Sequence, residues 1–133
     1  MVVDDQEQIA ILMEKMLTKL GYHVSTHTDS FEALEYFSRH ANEIDLVMSD
    51  ISMPGMRGDH LCRRIRRIRK SVPIILCTGF NETEQQIMAK QFGADKVLAK
   101  PTSLKALSAA VEEVLAAGSM ERRKHKRFIA MDS

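Results

Sequence analysis

The 133 residues carry 44% hydrophobic side chains and a net charge of +1, enough for one compact domain with a core and too little for a second complete domain. No apolar run is long enough to span a bilayer, the N-terminus lacks the basic-then-apolar layout of a leader, and Cys62 and Cys77 sit in apolar segments without metal-ligand spacing, so reduced thiols in the cytoplasm are expected. The charge is uneven: residues 118–133 hold Arg122, Arg123, Lys124, Lys126 and Arg127 against Glu121 and Asp132, a balance of +3 that leaves −2 for residues 1–117 and no compositional reason to expect nucleic acid.

Met1, Val2 and Val3 make a very short first strand ahead of Asp4 and Asp5. Either the natural chain begins further upstream or this strand is unusually short. Ile9, Leu12, Met13, Met16, Leu17 and Leu20 then fall on one helical face, and Gly21 supplies a stop. Val24, Thr26 and Thr28 alternate as a half-buried strand does. Asp29 and Glu32 have capping-box spacing ahead of the stripe Phe31, Leu34 and Phe37 of a second helix. Leu46, Val47 and Met48 form a dense run ending in Asp50, as suits a strand buried on both faces.

Leu61, Ile65 and Ile68 mark a third helix, Pro73 opens the strand Ile74 to Thr78, and Asn81 with Glu84 has capping-box spacing for a fourth helix anchored by Ile87 and Phe92. Lys96 to Ala99 make the last strand. Leu104, Leu107, Val111, Val114 and Leu115 give a fifth helix a clear apolar face, and Gly118 ends it. Five strand-helix alternations imply an α/β domain with a parallel sheet covered by helices on both sides.

In an open parallel sheet, ligands bind at the carboxyl ends of the strands. There the sequence places Asp4 and Asp5, Asp50, Thr78 with Gly79, and Lys100 with Pro101. Each has a plainer reading by itself: a helix cap for Asp4 or Asp5, a turn-starting Asp50, an ordinary strand Thr78, strand-end punctuation at Lys100-Pro101. A cap accounts for one carboxylate, not for three converging carboxylates with a hydroxyl and an ammonium. Three carboxylates at one edge repel one another, and a hard dication with oxygen ligands relieves that; Mg2+ tolerates few protein ligands plus water and phosphate oxygens. One carboxylate is then available to accept a phosphoryl group, with the cation, Lys100 and Thr78 stabilising the equatorial oxygens.

Through Val2-Val3-Asp4-Asp5, Asp50-Ile51-Ser52-Met53-Pro54-Gly55-Met56, Thr78-Gly79 and Gly93-Ala94-Asp95 leading to Lys100-Pro101, the chain resembles the receiver domains of two-component response regulators over residues 1–117. The resemblance implies a flavodoxin-like, doubly wound five-stranded parallel sheet in order 2-1-3-4-5 with five helices. It implies Asp50 as phosphoacceptor, Asp5, Asp50 and the Ser52 backbone carbonyl as Mg2+ ligands, Asp4 acting through water, and Thr78, Gly79 and Lys100 at the phosphoryl group. The peptide before Pro101 is a cis candidate, and Ser52 and Phe80 occupy the positions that tune acyl-phosphate lifetime. The implied partners are a sensor histidine kinase or phosphotransfer protein and an output domain or effector of unknown identity, with no membrane contact and no direct nucleic-acid contact expected from this chain. Catalysis is expected only of its own phosphorylation and dephosphorylation.

One departure is Val97, where many relatives carry the aromatic switch residue three positions before the Lys; another is Arg57 in place of an acidic turn residue. A haloacid dehalogenase-type phosphatase would want a second acid two places after the nucleophile, where Ser52 stands, and room for a cap domain. A phosphorylation-independent binding module is the other alternative, kept open by Val97.

The tail Glu121-Arg122-Arg123-Lys124-His125-Lys126-Arg127-Phe128 resembles the opening of a PilZ domain, whose Arg-x-x-x-Arg motif is matched by Arg123 and Arg127. Residues 118–133 are therefore either a solvated basic linker or the start of a second domain. Cyclic di-GMP is expected as a ligand only if a downstream PilZ domain exists, and tight binding by this chain is not expected. The run Arg63, Arg64, Arg66, Arg67, Arg69 and Lys70 reads as a solvated helix face or as a surface that steers an acidic partner. The five histidines form no metal set, although His23 and His27 have the spacing to share a strand face, and Met13, Met16, Met48, Met53, Met56 and Met88 read as core and turn fillers.

Overall fold

Alternating short strands and amphipathic helices arrange as follows in the computed structural model, which describes residues 1–79, 83–84, 87, 91–100 and 102–117. The elements are β1 (Val2–Val3), α1 (Glu7–Lys19), β2 (Thr26–His27), α2 (Ser30–His40), β3 (Val47–Asp50), α3 (Gly58–Ile68), β4 (Ile74–Thr78) and β5 (Lys96–Ala99), followed by a helix over residues 104–117. The strands form one parallel sheet in the order β2-β1-β3-β4-β5. Among the described residues four helices are continuous. The expected fourth of five falls largely outside them, although residues 83–84, 87 and 91–92 are helical.

The two-residue β1 holds its interior place between β2 and β3 because its ladder runs past its ends. Val2 N–H donates to Ser25 O at 2.8 Å, Asp4 N–H to His27 O at 3.0 Å, and Met48 N–H to Met1 O at 2.8 Å. Strand side chains alternate between faces, so each strand feeds two cores. Val2, Met48, Ile75 and Cys77 join Met13 and Leu17 of α1 and Leu107 and Val111 of the last helix. Val3, Val47, Ile74 and Leu76 join Phe37 of α2 and Leu61 and Ile65 of α3. Two arginines tie down the second layer from outside. Arg66 donates to the carbonyls of Gly93, Lys70 and Val72 and pairs with Asp95, and Arg69 donates to the carbonyls of Ala41 and Ile44.

Several sequence expectations need correction. Leu12, Phe31, Ile68 and Ile87, each assigned to an apolar stripe, are 55%, 56%, 42% and 58% exposed. The inward positions of α2 are Ser30, Ala33 and Phe37, so Phe31 points about 100° away from Ser30. In β2 the buried side chain is His27, its ring tilted against that of Tyr36 with centroids 4.6 Å apart, while Thr28, just past the strand, is exposed. The alternation holds for Val24 and Thr26, which are partly buried, and fails at Thr28; helices pack on both sides of the strand, so His27 on the other face is buried as well. His23 is exposed and precedes β2, so the two histidines share no strand face. Only half of the expected capping box at α2 forms: Asp29 accepts from Phe31 N–H at 3.0 Å, while Glu32 turns to His27. Asn81, Phe80, Met88, Pro101, Gly118, Arg123, Arg127 and the rest of the tail lie outside the described residues.

Candidate functional site

The carboxyl ends of β1, β3, β4 and β5 meet at one edge of the sheet. Asp4 and Asp5 follow β1 directly, Asp50 is the last residue of β3, and Lys100 follows β5. Parallel pairing sets their level: Asp50 is in register with Cys77 and Thr78 with Ala99, and Lys100 N–H donates to Thr78 O at 2.8 Å. Thr78 is buried at 5% exposure, whereas Gly79 and Ser52 are exposed.

Carboxylate oxygens of Asp4, Asp5 and Asp50 lie within 4.8 Å of one another. Asp4 and Asp50 are buried at 3% and 9% exposure, and Asp5 is exposed. Lys100 Nζ bridges the buried pair, 2.9 Å from Asp4 Oδ2 and 3.0 Å from Asp50 Oδ1. Asp4 Oδ1 accepts from Gln6 N–H at 3.0 Å. Neither Asp4 nor Asp5 is the residue preceding the first turn of α1; Gln6 is, and its side chain makes no capping bond. The plainer reading of these acids as helix caps therefore fails.

The electrostatics are those of a site short of positive charge. Burial pushes the Asp50 carboxyl above its ordinary pKa; Lys100 opposes the shift, and Asp4 and Asp5 add to it. Burial alone would lower the Lys100 pKa, but its hydrogen bonds and charge pairing with Asp4 and Asp50 outweigh that and raise it, so Lys100 stays an ammonium. Among the described residues three carboxylates face one ammonium, an excess of negative charge at this edge. The donor atoms are hard oxygens, and their number and charge fit a small dication such as Mg2+ that keeps some of its water.

Gly58 is a site-building residue that sequence reading passed over. Its N–H donates to Ile51 O at 2.9 Å, and a Cβ there would stand 2.1 Å from Asp50 O and 2.8 Å from Ile51 Cα. The segment after Asp50 therefore folds back onto the first turn of α3 through a contact only glycine permits. A glycine at a helix entry, where better helix formers are available, was the signal. Arg57 is exposed and its Nε bonds Asp59 Oδ1 at 3.1 Å, so the turn accommodates the arginine. Val97 is half-buried against the α2–α3 layer.

Beside Asp50 and Lys100 the cleft between α1 and the sheet encloses about 330 Å³. Ile9, Leu12, Met13 and Met16 form one wall, Met48 and Cys77 the floor, and Thr102 lies at the rim beyond Lys100. Burial pushes the Cys77 thiol up to about 12 and raises that of Cys62 as well, so neither behaves as a reactive thiolate near neutral pH. Among the described residues no histidine or cysteine joins a group placed to hold a metal, and no helix is long and apolar enough to cross a membrane.

Residues 1–112 match the response regulator receiver domain family. The probable transcriptional regulator ycf27 of Cyanidium caldarium is 35% identical over 115 residues, covering 86% of this chain and 45% of that protein. The alkaline phosphatase synthesis transcriptional regulatory protein PhoP of Bacillus subtilis is 31% identical over 115 residues, covering 86% of this chain and 47% of its own length. The chain thus spans somewhat less than half the length of these curated relatives. Among solved structures, a response regulator receiver domain protein from Clostridium thermocellum superimposes with a TM-score of 0.83 at 30% identity, covering 90% of this chain and 94% of that one. The chemotaxis protein CheY4 of Vibrio cholerae superimposes with a TM-score of 0.77, also at 30% identity, over 85% of this chain and 94% of its own. The match to the family ends before Arg123 and Arg127.

Proposed function

This chain belongs to the response regulator receiver domain family, and from that premise we propose that it is a phosphoryl-accepting switch with Asp50 as the acceptor. An Asp50 oxygen attacks the phosphorus of a phosphohistidine on a sensor kinase or phosphotransfer protein. The O–P bond forms, the P–N bond breaks, and the imidazole nitrogen keeps the electron pair. Hydrolysis later returns the carboxylate and releases inorganic phosphate. The observation that carries the reading is the Lys100 bridge: one ammonium within 3.0 Å of both buried carboxylates, Asp4 and Asp50.

Asp5, Asp50 and the Ser52 carbonyl are the residues assigned to hold Mg2+, with Asp4 acting through water. When bound, the cation neutralises the acidic edge and draws charge from the phosphoryl oxygens. Lys100, on its flexible four-carbon stem, exchanges its bond with Asp50 for one with a phosphoryl oxygen. Thr78, held at the end of β4, moves toward the same group, and the chain beyond Gly79 repacks. Ser52 and Phe80 hold the two sequence positions that tune acyl-phosphate lifetime. Residues 1–117 form the receiver unit, and 118–133 are a basic linker or the start of a second domain. The cleft beside Asp50, with Leu12 exposed at its wall, offers the phosphodonor apolar contact within reach of the acceptor.

Intact-protein mass spectrometry after incubation with acetyl phosphate or phosphoramidate and Mg2+ tests the assignment. The expected result is one labile phosphoryl adduct, abolished by EDTA and absent from Asp50→Ala. No adduct on a folded protein that binds Mg2+ would instead favour a binding module that works without phosphorylation, the reading to which Val97 at the switch position lends support. Multiple turnover of a small phosphate ester would point to a phosphatase.

A further inference from the structure

The basic run on α3 has no part in the phosphoacceptor site, and the structure divides it in two. Arg66 and Arg69 are consumed by backbone carbonyls within the fold. Arg63, Arg64, Arg67 and Lys70 are exposed. Among the described residues none of these four pairs with a carboxylate; Arg63 lies over the Phe92 ring at 5.8 Å from its centroid. Arg63 and Arg67 are one turn apart, as are Arg64 and Ile68, so the cations spread over the solvent side of the helix and Ile68, 42% exposed, stands at its edge beside Arg64.

An ordinary solvated helix face mixes both signs of charge at these spacings. Here the one carboxylate of α3, Asp59, is taken by Arg57 outside the helix. Residues 57–70 hold seven cations against Asp59, a balance of +6; since residues 1–117 sum to −2, the remainder of that body carries −8. The positive charge is thus concentrated on α3 and the residues at its two ends in an otherwise acidic domain, and a field of that shape orients an approaching anion toward α3.

We propose that Arg63, Arg64, Arg67 and Lys70, with Ile68 at the edge of the group beside Arg64, form a docking surface for an acidic amphipathic helix of a partner protein. A nucleic-acid duplex is the poorer fit, because it runs past four cations into the acidic remainder and has nothing apolar to cover Ile68. A short acidic helix touches the cationic side alone and places an aliphatic side chain on Ile68, with the guanidinium groups forming carboxylate pairs beside it. α3 packs on the opposite side of the sheet from α1 and its cleft. The occupant of α3 and a phosphodonor at the cleft can therefore be bound at the same time.

The test is fluorescence anisotropy of the whole chain with two labelled probes: a glutamate-rich helical peptide carrying leucine along one stripe, and a DNA duplex of equal charge. The peptide is expected to bind more tightly than the DNA and more tightly at low salt than at high salt. The pair Arg64→Glu and Arg67→Glu weakens it about tenfold or more, and Ile68→Ser about threefold. Lys70→Glu, beyond the helix end, repeats the charge test without altering α3. Absence of peptide binding at low salt, DNA bound as tightly as the peptide, or charge reversal at Arg64, Arg67 and Lys70 that leaves affinity unchanged overturns the proposal. None of these readings depends on phosphorylation of Asp50.

Discussion

The two faces of the sheet are built to different standards of closure. On the side of α2 and α3, Phe37, Ile51, Leu61 and Ile65 are all at 0% exposure, and Arg66 and Arg69 stitch the helix to neighbouring backbone. On the side of α1, Leu12 stands 55% exposed over a cleft of about 330 Å³ that reaches Asp50 and Lys100. Interiors are packed at crystal-like density, so a cleft of this size persists where the fold leaves room for something else to enter. One face therefore holds the strand ends in place, and the other gives access to the groups they carry.

The largest effect is expected where the closed side meets the site. Gly58→Ala drives a methyl into the Asp50 carbonyl, a backbone atom that cannot swing aside. Urea unfolding should show a loss of about 3 kcal/mol, and the variant should bind Mg2+ less tightly because the end of β3 must shift. Wild-type stability in Gly58→Ala would mean that the closed side is softer than its packing indicates.

The two cysteines, one on each side, give an intermediate effect and test whether the cleft floor is as dry as the closed core. Both thiols have raised pKa values, that of Cys77 to about 12. A folded-state pKa above the unfolded value of 9.0 means that the native state keeps its proton longer. That contribution to stability is complete below pH 9 and is lost as pH rises from 9 toward 12. Unfolding midpoints across this range should fall with rising pH, and Cys77→Ala should flatten the decline. Rapid alkylation of Cys77 near pH 8 in the folded protein would show that the cleft admits reagent to its floor.

The smallest effect belongs to the open wall. Leu12→Ser should change stability by no more than about 0.5 kcal/mol, since the side chain is already mostly in water. It should nonetheless slow phosphoryl transfer from a protein donor while leaving labelling by acetyl phosphate unchanged. A large stability loss would make Leu12 part of the core and remove the contrast between the faces.

Covalent order and periodicity made much of this legible in advance. The acidic pair after Val3, the dense run ending in Asp50, and Thr78 and Lys100 at later strand ends are local facts of sequence. A parallel sheet brings all strand ends of one kind to one edge, so naming the strands was enough to gather the site. What sequence could not supply was facing and contact. Leu12, Phe31 and Ile68 are apolar at helical spacing yet exposed, because each of their helices buries a stripe narrower than its apolar content. His27 is buried in β2 because helices cover that strand on both sides. Gly58 matters because Asp50 O passes within 2.1 Å of where its Cβ would be, a distance set by the return of the chain from β3 to α3. The split of the basic run into Arg66 and Arg69, spent on carbonyls, and Arg63, Arg64, Arg67 and Lys70, left in solvent, has the same origin. By itself the sequence determined the order of the strands' chemistry and the types of group at their ends. Which cations stayed outside, which glycine had to be bare and which face stayed open were decided by tertiary packing, since these depend on distances between residues far apart in the chain.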